Sequence, residues 1–361
     1  MNKSKVRIGI VGCGYIGKNH IKAAIEADWV ELAAVADASP EVAKLAAEQF
    51  GAERYYDSAE AIFGDPSIDA VVLAVPTNIR TGLALKSIAA GKHTLLEKPL
   101  AMNLSEIEQL VSASAGGPKV GFCSSRFRFL EHAEAARRWI AEGRLGKLRL
   151  LRCRVNEPAA GRPDNSPPAW RLQTSINGGG IVANWGSYDF DYLLGLTGWT
   201  LQPEWIIART WGLAPSISDY FPAGADSETY GTAYIQCAND IVLTYERGEF
   251  MGAPQERTWQ IIGSEGSLSL HMTWPSEKVI MASTLHAENG VESSVVWEGT
   301  EDSSWIDKGA LFDFTRSILN DTEPATGLSE ALKLQTIMDN LYVSARSGAP
   351  VSFAQQGGKH A

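Results

Sequence analysis

The chain has 361 residues, of which 45% are hydrophobic and 20% charged, and its formal net charge is −10. This length exceeds one typical hydrophobic core, so we expect two domains. The acidic balance argues against a nucleic-acid-binding surface, which needs a basic face. No stretch reaches the roughly 18 apolar residues of a membrane span. Because the four cysteines are far apart and no signal peptide is recognisable, we expect a reduced cytoplasmic protein with no metal site and no membrane partner.

Strand and helix candidates alternate through the first 123 residues. Apolar strands without alternation indicate a parallel sheet buried on both faces, and the repeated order indicates a doubly wound α/β domain with right-handed crossovers. Ser39 and Pro40 predict a helix start, and Gly51 predicts its end. A capping box of Ser105 and Glu108 predicts a later helix. The predicted strands are 6–11, 32–36, 70–75, 93–96 and 119–123, and the predicted helices include 18–27, 40–50 and 81–90.

The loop GCGYIG follows the first strand and fits the pattern GxGxxG. Gly12 would allow the tight turn, Gly14 the approach of a pyrophosphate, and Gly17 the packing of helix on strand. Asp37 ends the second strand at the distance expected for a ribose ligand, and its charge would repel a 2′-phosphate, so NAD is favoured over NADP. A tight glycine turn without a ligand is the alternative. The cofactor candidates in this region are Gly12, Gly14, Tyr15, Ile16, Gly17 and Asp37.

Residues 124–361 are strand-rich and predict a second, α+β domain with a large, mostly antiparallel sheet. Asn239 and Asp240 form a short turn between two of its strands, which is a hairpin signal. Two helices, 305–320 and 329–347, close the chain. The predicted strands are 148–155, 204–210, 231–238, 240–248, 257–263 and 267–272.

The fifth strand is followed by Glu97-Lys98-Pro99, within AGKHTLLEKPLA. Together with GCGYIG, AVVLAVPTN, GFCSSRFRF, AWRLQTSINGGG, GSEGSLSL and SARSGAPV, this stretch resembles the Gfo/Idh/MocA family over nearly the whole chain. The resemblance implies a nicotinamide-dependent oxidoreductase acting on sugars, cyclitols or keto-sugars. It assigns residues 1–123 to the cofactor, and residues 124–361 to the substrate and to a homodimer or homotetramer formed through the C-terminal sheet.

The resemblance also implies roles for residues at the carboxyl edge of the first sheet. Lys98 matches the active-site lysine, and we hypothesise that the Lys98–Pro99 peptide is cis. Glu97 and the loop of Pro76, Thr77 and Asn78 would lie along the cofactor. A solvated loop lysine and a plain β-to-α turn are the alternatives. The family often carries histidine at the position of Arg80, and we assign that residue no role.

The segment GGGIVANWGSYDFD carries Asn184, Tyr188 and Asp191 at i, i+4 and i+7, which share a face on an α-helix. The family usually has aspartate and histidine at the positions of Asn184 and Tyr188, so this chain departs from it twice. A phenol with an ordinary pKa of about 10 is a poor base but a reasonable acid for a developing alkoxide. We therefore predict that Lys98 and Tyr188 are catalytic and that Asn184 positions the substrate. An aromatic that only fills a domain interface is the alternative, and Asp189 and Asp191 are expected to be structural.

Arg126, Trp170 and Arg171 are weaker substrate candidates, because aromatic faces suit sugar C–H surfaces and guanidinium groups bind hydroxyls. Trp170 and Arg171 could equally pin their loop to the sheet. Three other functions stay open: a non-catalytic sensor that binds NAD and a sugar, an oxidoreductase that keeps its cofactor bound, and an unrelated Rossmann enzyme such as an amino-acid dehydrogenase. The predicted substrate-binding residues are Lys98, Arg126, Trp170, Arg171, Asn184 and Tyr188.

Overall fold

Strands and helices alternate through the first part of the chain, as the sequence predicts. The computed structural model describes residues 4–160, 167–273 and 275–353. In this part the described residues form a six-stranded parallel sheet of order β3-β2-β1-β4-β5-β6. The strand order reverses between β1 and β4, and ligands of doubly wound sheets bind at such a point. The strands are β1 Val6–Val11, β2 Val30–Ala36, β3 Arg54–Tyr56, β4 Ala70–Leu73, β5 His93–Leu96 and β6 Val120–Phe122.

The helices of this sheet begin and end largely where local signals place them. Ser39 accepts a hydrogen bond from the Val42 amide, and Gly51 is left-handed with φ 75°. The predicted capping box is wrong, because Asn103 caps the helix by accepting from the Glu106 amide and Ser105 lies inside. The helices are α1 Tyr15–Glu26, α2 Pro40–Phe50, α3 Ala59–Gly64, α4 Thr77–Ala89 and α5 Leu104–Ser114.

The first compact unit combines Met1–Phe129 with Ser304–Gln335, a later segment that includes α9 (Ser304–Asn320). The α9 helix packs on this unit through Phe312, whose ring meets Trp29 edge-on at 5.0 Å, and through Thr315, which accepts from the Trp29 indole. The sequence analysis assigned this helix to the second domain. Its apolar residues lie in the same core cluster as strands β1 and β2.

The second unit combines Leu130–Ser303 with Thr336–Ala361. Its described residues form a nine-stranded sheet of order β14-β13-β12-β11-β7-β10-β9-β8-β15, antiparallel except where β7 pairs with β10. Asn239 and Asp240 have φ 62° and 57°, as a two-residue hairpin turn of matching twist requires. The strands are β7 Leu148–Pro158, β8 Pro203–Trp211, β9 Tyr230–Cys237, β10 Ile241–Met251, β11 Glu256–Gly263, β12 Gly266–Leu270, β13 Glu277–His286, β14 Gly290–Thr300 and β15 Val351–Ser352.

Helical segments complete the described chain. A π-helical turn, Val182–Gly186, runs directly into α8. Within the described ranges, no helix has the length and apolarity needed to cross a membrane. The remaining helices are α6 Glu131–Ala141, α7 Thr174–Asn177, α8 Ser187–Leu196 and α10 Leu328–Ser347, and short 3₁₀ segments cover Cys123–Phe129, Ala169–Leu172 and Pro215–Tyr220.

Candidate functional site

The glycine loop between β1 and α1 has the shape of a phosphate cradle. Gly12 has φ +91°, and a Cβ there would lie 2.3 Å from the Ala74 carbonyl oxygen. A Cβ at Gly17 would lie 1.8 Å from the Gly12 carbonyl oxygen, so both positions need glycine for packing. At Gly14, by contrast, no described atom beyond its two neighbours in the chain comes within 4 Å of such a Cβ. The loop therefore leaves room for a ligand at the start of α1, where helix amides favour an anion.

Asp37 fixes this loop from the end of β2. Its carboxylate accepts hydrogen bonds from the Cys13 amide at 2.8 Å and from the Ser39 amide at 3.0 Å. Each carboxylate oxygen can accept more than one hydrogen bond, so capacity for ribose hydroxyls is left. Tyr15 is 81% exposed and Ile16 is half-buried beside the loop. The residues present therefore fit a dinucleotide with a free 2′-hydroxyl.

Pro76, Thr77 and Asn78 form the start of α4. Helix α4 begins earlier than predicted, with Pro76 as the residue before its first turn. Thr77 is buried, whereas Pro76 and Asn78 are exposed. Since the Gly12 loop touches Ala74 just upstream, these residues lie beside the glycine loop at the point where the strand order reverses.

Glu97, at the end of β5, is a buried carboxylate with charged partners. Its Oε1 meets His20 Nε2 at 2.8 Å and accepts from Arg126 at 2.5 Å, and its Oε2 accepts from the Lys98 amide at 3.0 Å. Burial alone favours the neutral acid, but Arg126 and His20 together hold the pKa of Glu97 well below its ordinary value. Lys98 itself is half-buried, and the Lys98–Pro99 peptide is cis, as hypothesised. The roles of Glu97 and Lys98 toward cofactor and substrate stay predictions.

Cys123 lies near this cluster, with its sulfur 3.9 Å from His20 Nε2. Histidine, glutamate and cysteine could in principle hold a metal ion. Burial, however, raises the pKa of the Cys123 thiol well above its ordinary value, which disfavours the thiolate that a metal needs. Arg126 also already neutralises Glu97. We therefore assign no metal to this group.

Two buried arginines hold the segment around Glu97. Arg126, predicted to bind substrate, is 6% exposed, forms the ion pair with Glu97 and donates to the Cys123 carbonyl. Its role as a substrate ligand stays a prediction. Arg80, which the sequence analysis set aside, is 3% exposed and donates to backbone carbonyls on both sides of Lys98. Sequence reasoning missed these contacts, because an arginine within a helix carries no local signal of the backbone carbonyls that it contacts.

In the second unit, Gly179 and Gly180 of the glycine run are packed tightly. A Cβ at Gly179 would lie 2.0 Å from the Tyr342 hydroxyl oxygen, and one at Gly180 would lie 1.9 Å from the Glu228 carbonyl oxygen. The Glu228 carboxylate accepts from the amides of Gly180 and Val182, at 2.8 and 3.0 Å, and from the Tyr342 hydroxyl at 2.8 Å. Burial raises the pKa of Glu228 despite these donors. Sequence reasoning missed Glu228 and Tyr342, which are far away along the chain.

The predicted face of Asn184, Tyr188 and Asp191 assumed a regular α-helix, and this is wrong for its first turn. Asn184 lies in the π-helical turn, while Tyr188 and Asp191 lie in α8. A π-helical turn winds more residues per turn, so α-helical spacing alone does not align Asn184 with the other two. All three side chains are buried. Single π-helical turns occur frequently at functional sites.

Tyr188 belongs to an anchored aromatic group. Its ring meets Trp185 edge-on at 5.6 Å, and the Arg247 guanidinium lies 4.3 Å above the Trp185 ring. Asp189, which is fully buried, accepts from Arg247 at 3.3 Å and from the Trp259 indole at 3.0 Å. Burial raises the pKa of Asp189, although Arg247 opposes this. These contacts give Asp189 the structural role expected of it and fix the start of α8 on the sheet.

Trp170 and Arg171 lie in the 3₁₀ segment Ala169–Leu172. Arg171 forms an ion pair with Glu249 of β10, which corresponds to the alternative that it pins the loop. Trp170 is 49% exposed. Residues 161–166 of the same loop lie outside the described residues. Binding of substrate by Trp170 and Arg171 stays a prediction.

Two family models match successive parts of the chain. The model described as "Oxidoreductase family, NAD-binding Rossmann fold" matches residues 6–120, and "GFO/IDH/MocA C-terminal domain" matches residues 133–269. The chain belongs to the Gfo/Idh/MocA oxidoreductase family. Its first domain is accordingly an NAD-binding Rossmann domain.

Individual members of the Gfo/Idh/MocA family are similar over part of the sequence. Levoglucosan dehydrogenase of Pseudarthrobacter phenanthrenivorans is 30% identical over 53% of this chain and 51% of its own length. Inositol 2-dehydrogenase of Rhizobium meliloti is 34% identical over 53% of this chain and 55% of its own. The chain thus spans about half the length of these curated relatives.

Solved structures of the family extend the likeness of fold over the whole chain. A levoglucosan dehydrogenase in complex with NADH and L-sorbose has a TM-score of 0.83, 22% identity, and coverage of 96% of this chain and 98% of its own. An NAD-binding oxidoreductase from Klebsiella pneumoniae has a TM-score of 0.84, 19% identity, and coverage of 96% and 99%. At these identities the likeness establishes the fold alone.

Proposed function

We propose that the protein is an NAD-dependent oxidoreductase that transfers hydride between the cofactor and a carbinol or carbonyl carbon of a sugar, cyclitol or keto-sugar. The proposal rests on the arrangement of residues at the carboxyl edge of the parallel sheet. There a cradle open at Gly14 lies at the point where the strand order reverses, and Lys98 follows β5 on the same edge with its backbone held by buried groups. Two relatives, a levoglucosan dehydrogenase and an inositol 2-dehydrogenase, support the substrate class by their activities.

The cofactor would be held by Gly12, Gly14 and the start of α1 at its phosphates, and by Asp37 at its adenosine ribose. Pro76, Thr77 and Asn78 would lie along it at the start of α4. Asp37 favours NAD over NADP, because a 2′-phosphate would meet a carboxylate that already anchors the loop. When bound, the nicotinamide supplies or accepts the hydride.

The chain's own residues would handle the proton and the substrate. Lys98 is a cation that can hold the substrate oxygen, and the hydroxyl of Tyr188 can donate a proton to it when a ketone is reduced. Asn184 cannot act as a base, but its carboxamide can hydrogen-bond a hydroxyl as donor or acceptor. With no carboxylate at that position, reduction of a keto-sugar is the direction we favour.

A turnover screen tests the proposal. The purified chain is titrated with NADH by fluorescence and then assayed on a panel of polyols with NAD⁺ and of keto-sugars with NADH. We expect turnover of at least one substrate class, and loss of turnover by roughly 100-fold or more in Tyr188→Phe with NADH affinity nearly unchanged. Tyr234→Phe is the matched control, because this phenol is exposed on the sheet and should be dispensable.

The outcomes separate the alternatives. NADH binding without turnover on the whole panel would favour the non-catalytic sensor, which the two departures at Asn184 and Tyr188 motivate. Full activity of Tyr188→Phe would remove the phenol from the mechanism. Stoichiometric nicotinamide in the purified protein would indicate an enzyme that keeps its cofactor. The homo-oligomer expected through the C-terminal sheet stays a prediction, to be read from light scattering on the same sample.

A further inference from the structure

Arg80 is a buried cation that donates hydrogen bonds to several backbone carbonyls. It lies in the first turn of α4 and is 3% exposed. Its Nε and Nη2 donate to the Val75 carbonyl at 3.1 and 2.7 Å. Its Nη1 donates to the carbonyls of Glu97 and Pro99, and its Nη2 lies 3.4 Å from the Lys98 carbonyl oxygen. One guanidinium therefore meets the carbonyls of three consecutive residues and joins them to the end of the neighbouring strand.

This arrangement needs the guanidinium shape. Carbonyl oxygens of successive residues that face one point repel one another unless a cation lies there, and buried carbonyls without a donor are costly. The planar group presents several N–H donors in a fixed fork, whereas a lysine ammonium is a point charge on a flexible stem. A buried charge in turn needs partners, which the carbonyls supply. The hydrogen bonds from Arg80 to the carbonyls of Glu97 and Pro99 therefore hold this backbone segment in one conformation.

The amide side of the Glu97–Lys98 peptide is held by a second buried group, which is the Glu97 carboxylate with its partners. The Lys98 amide donates to the Glu97 carboxylate at 3.0 Å, and that carboxylate is fixed by His20 and Arg126. The Glu97 amide donates to the Leu73 carbonyl at 3.2 Å. The backbone of Lys98 is thus restrained through its amide by Glu97 and through the flanking carbonyls by Arg80.

We propose that Arg80 is a positioning residue, which holds the backbone of Glu97-Lys98-Pro99 so that the Lys98 amine is presented in a reactive geometry, a role that rests on the proposed function. Arg80 itself need not touch cofactor or substrate. Its effect is therefore on the rate of the bound complex and not on binding.

The test compares Arg80→Met with Arg7→Met in the full chain. Arg7 is in the same unit, and its side chain also donates to a backbone carbonyl, that of Ser67 at 2.9 Å, and pairs with Glu53 at 2.7 Å. It lies at the amino end of β1, away from Lys98 in the strand direction. Arg7→Met thus reports what the loss of a structural arginine does to this unit.

Kinetics give the first readout. We expect Arg80→Met to lower kcat by about 10- to 100-fold, the range for a misplaced catalytic group, with KM and the NADH dissociation constant changed by less than about threefold. Arg7→Met should lose stability but keep kcat. If Arg80→Met does not fold, Arg80→Lys keeps the charge and is read in its place, with a reduced kcat expected because an ammonium cannot replace the fork. A kcat within twofold of wild type in the folded Arg80 variant would overturn the proposal.

Hydrogen exchange at the Glu97 and Lys98 amides gives a second readout that needs no turnover. We expect both amides to exchange at least about tenfold faster in the Arg80 variant and unchanged in Arg7→Met, because Arg80 holds the flanking carbonyls and Arg7 lies at the other end of the sheet. If the wild-type protein turns over nothing, the proposed function fails while this measurement still decides the role of Arg80. Unchanged exchange at both amides would then refute it.

Discussion

Glu97→Gln removes one negative charge from a buried group and leaves its shape nearly intact. In the folded protein Glu97 is 4% exposed and meets His20 at 2.8 Å and Arg126 at 2.5 Å. Breaking a buried ion pair by removing one partner typically costs about 3–5 kcal/mol, because the remaining charge stays buried without compensation. Against the roughly 5–15 kcal/mol that stabilises an ordinary domain, this is a large fraction. We therefore expect the melting temperature of the first unit to fall by about 6–20 °C.

The difference in stability between wild type and Glu97→Gln should depend on pH, and the direction of this dependence follows from the pKa of Glu97. The pKa of Glu97 is held below its ordinary value in the folded state, so the unfolded chain binds more protons as the pH falls. The stabilisation is therefore complete above the unfolded pKa of about 4.3 and is lost as the pH falls through the folded pKa. The difference between wild type and Glu97→Gln should be full at neutral pH and should shrink below about pH 4.

Urea unfolding from neutral pH down to about pH 3 measures this difference. Glu60→Gln is the control, because its partner Lys86 and Glu60 itself are both more than half exposed and such pairs contribute about 0–1 kcal/mol. A cost below about 1 kcal/mol for Glu97→Gln at neutral pH, equal to that of the control, would refute the assignment of Glu97 as an anchoring charge.

Two further substitutions test the cofactor loop and the glycine run. Asp37→Ser removes the charge that would repel a 2′-phosphate, so the preference for NADH over NADPH should fall by about tenfold or more in fluorescence titrations. Asp28 is exposed, and Asp28→Ser should leave the preference unchanged. An unaltered preference in Asp37→Ser would contradict the role of Asp37 as the ribose ligand. Gly180→Ala places a Cβ 1.9 Å from the Glu228 carbonyl oxygen and should destabilise by about 1–3 kcal/mol in urea unfolding. A Cβ at Gly82 would meet no described atom within 4 Å beyond its chain neighbours and the backbone of its own helix, so Gly82→Ala should be neutral or stabilising. Equal effects of the two substitutions would contradict the packing argument.

The sequence predicts what is local and leaves out what is long-range. The places of Gly12 and Gly17 in the glycine turn, and of Asp37 after β2, could be predicted because a strand, a glycine turn and a helix follow one another within a short span. The helix start near residue 104 could not, because Asn103 with Glu106 and Ser105 with Glu108 both fit a capping pattern and only the backbone at Asn103 decides. The sequence analysis missed strands β13 and β14. Most of the residues in β14 are exposed, including Val291 and Val295, so its sequence lacks the pattern of a buried strand.

The same limit applies to the residues around the candidate site. Glu228 and Tyr342 are separated by 114 positions, so no short segment of the sequence could predict their contact. The sequence did not predict the π-helical turn that contains Asn184, for a different reason. Its residues match α-helical spacing, and the distant contacts of the Gly180 and Val182 amides with the Glu228 carboxylate, which hold the start of this helix, cannot be predicted from that spacing.

Lys98 follows a strand whose end is surrounded by buried charge of alternating sign. Arg80 donates to the carbonyls that flank Lys98, Glu97 accepts the Lys98 amide, and Arg126 pairs with the Glu97 carboxylate. Arg80 donates to the carbonyls of Val75, Glu97 and Pro99, and such carbonyls help to compensate a buried charge. Glu97 is therefore left to pair with Arg126 and His20 while its second oxygen accepts the Lys98 amide. A neutral residue at position 97 would break this division of partners, which is why the charge of Glu97, more than its size, should determine how rigidly Lys98 is held.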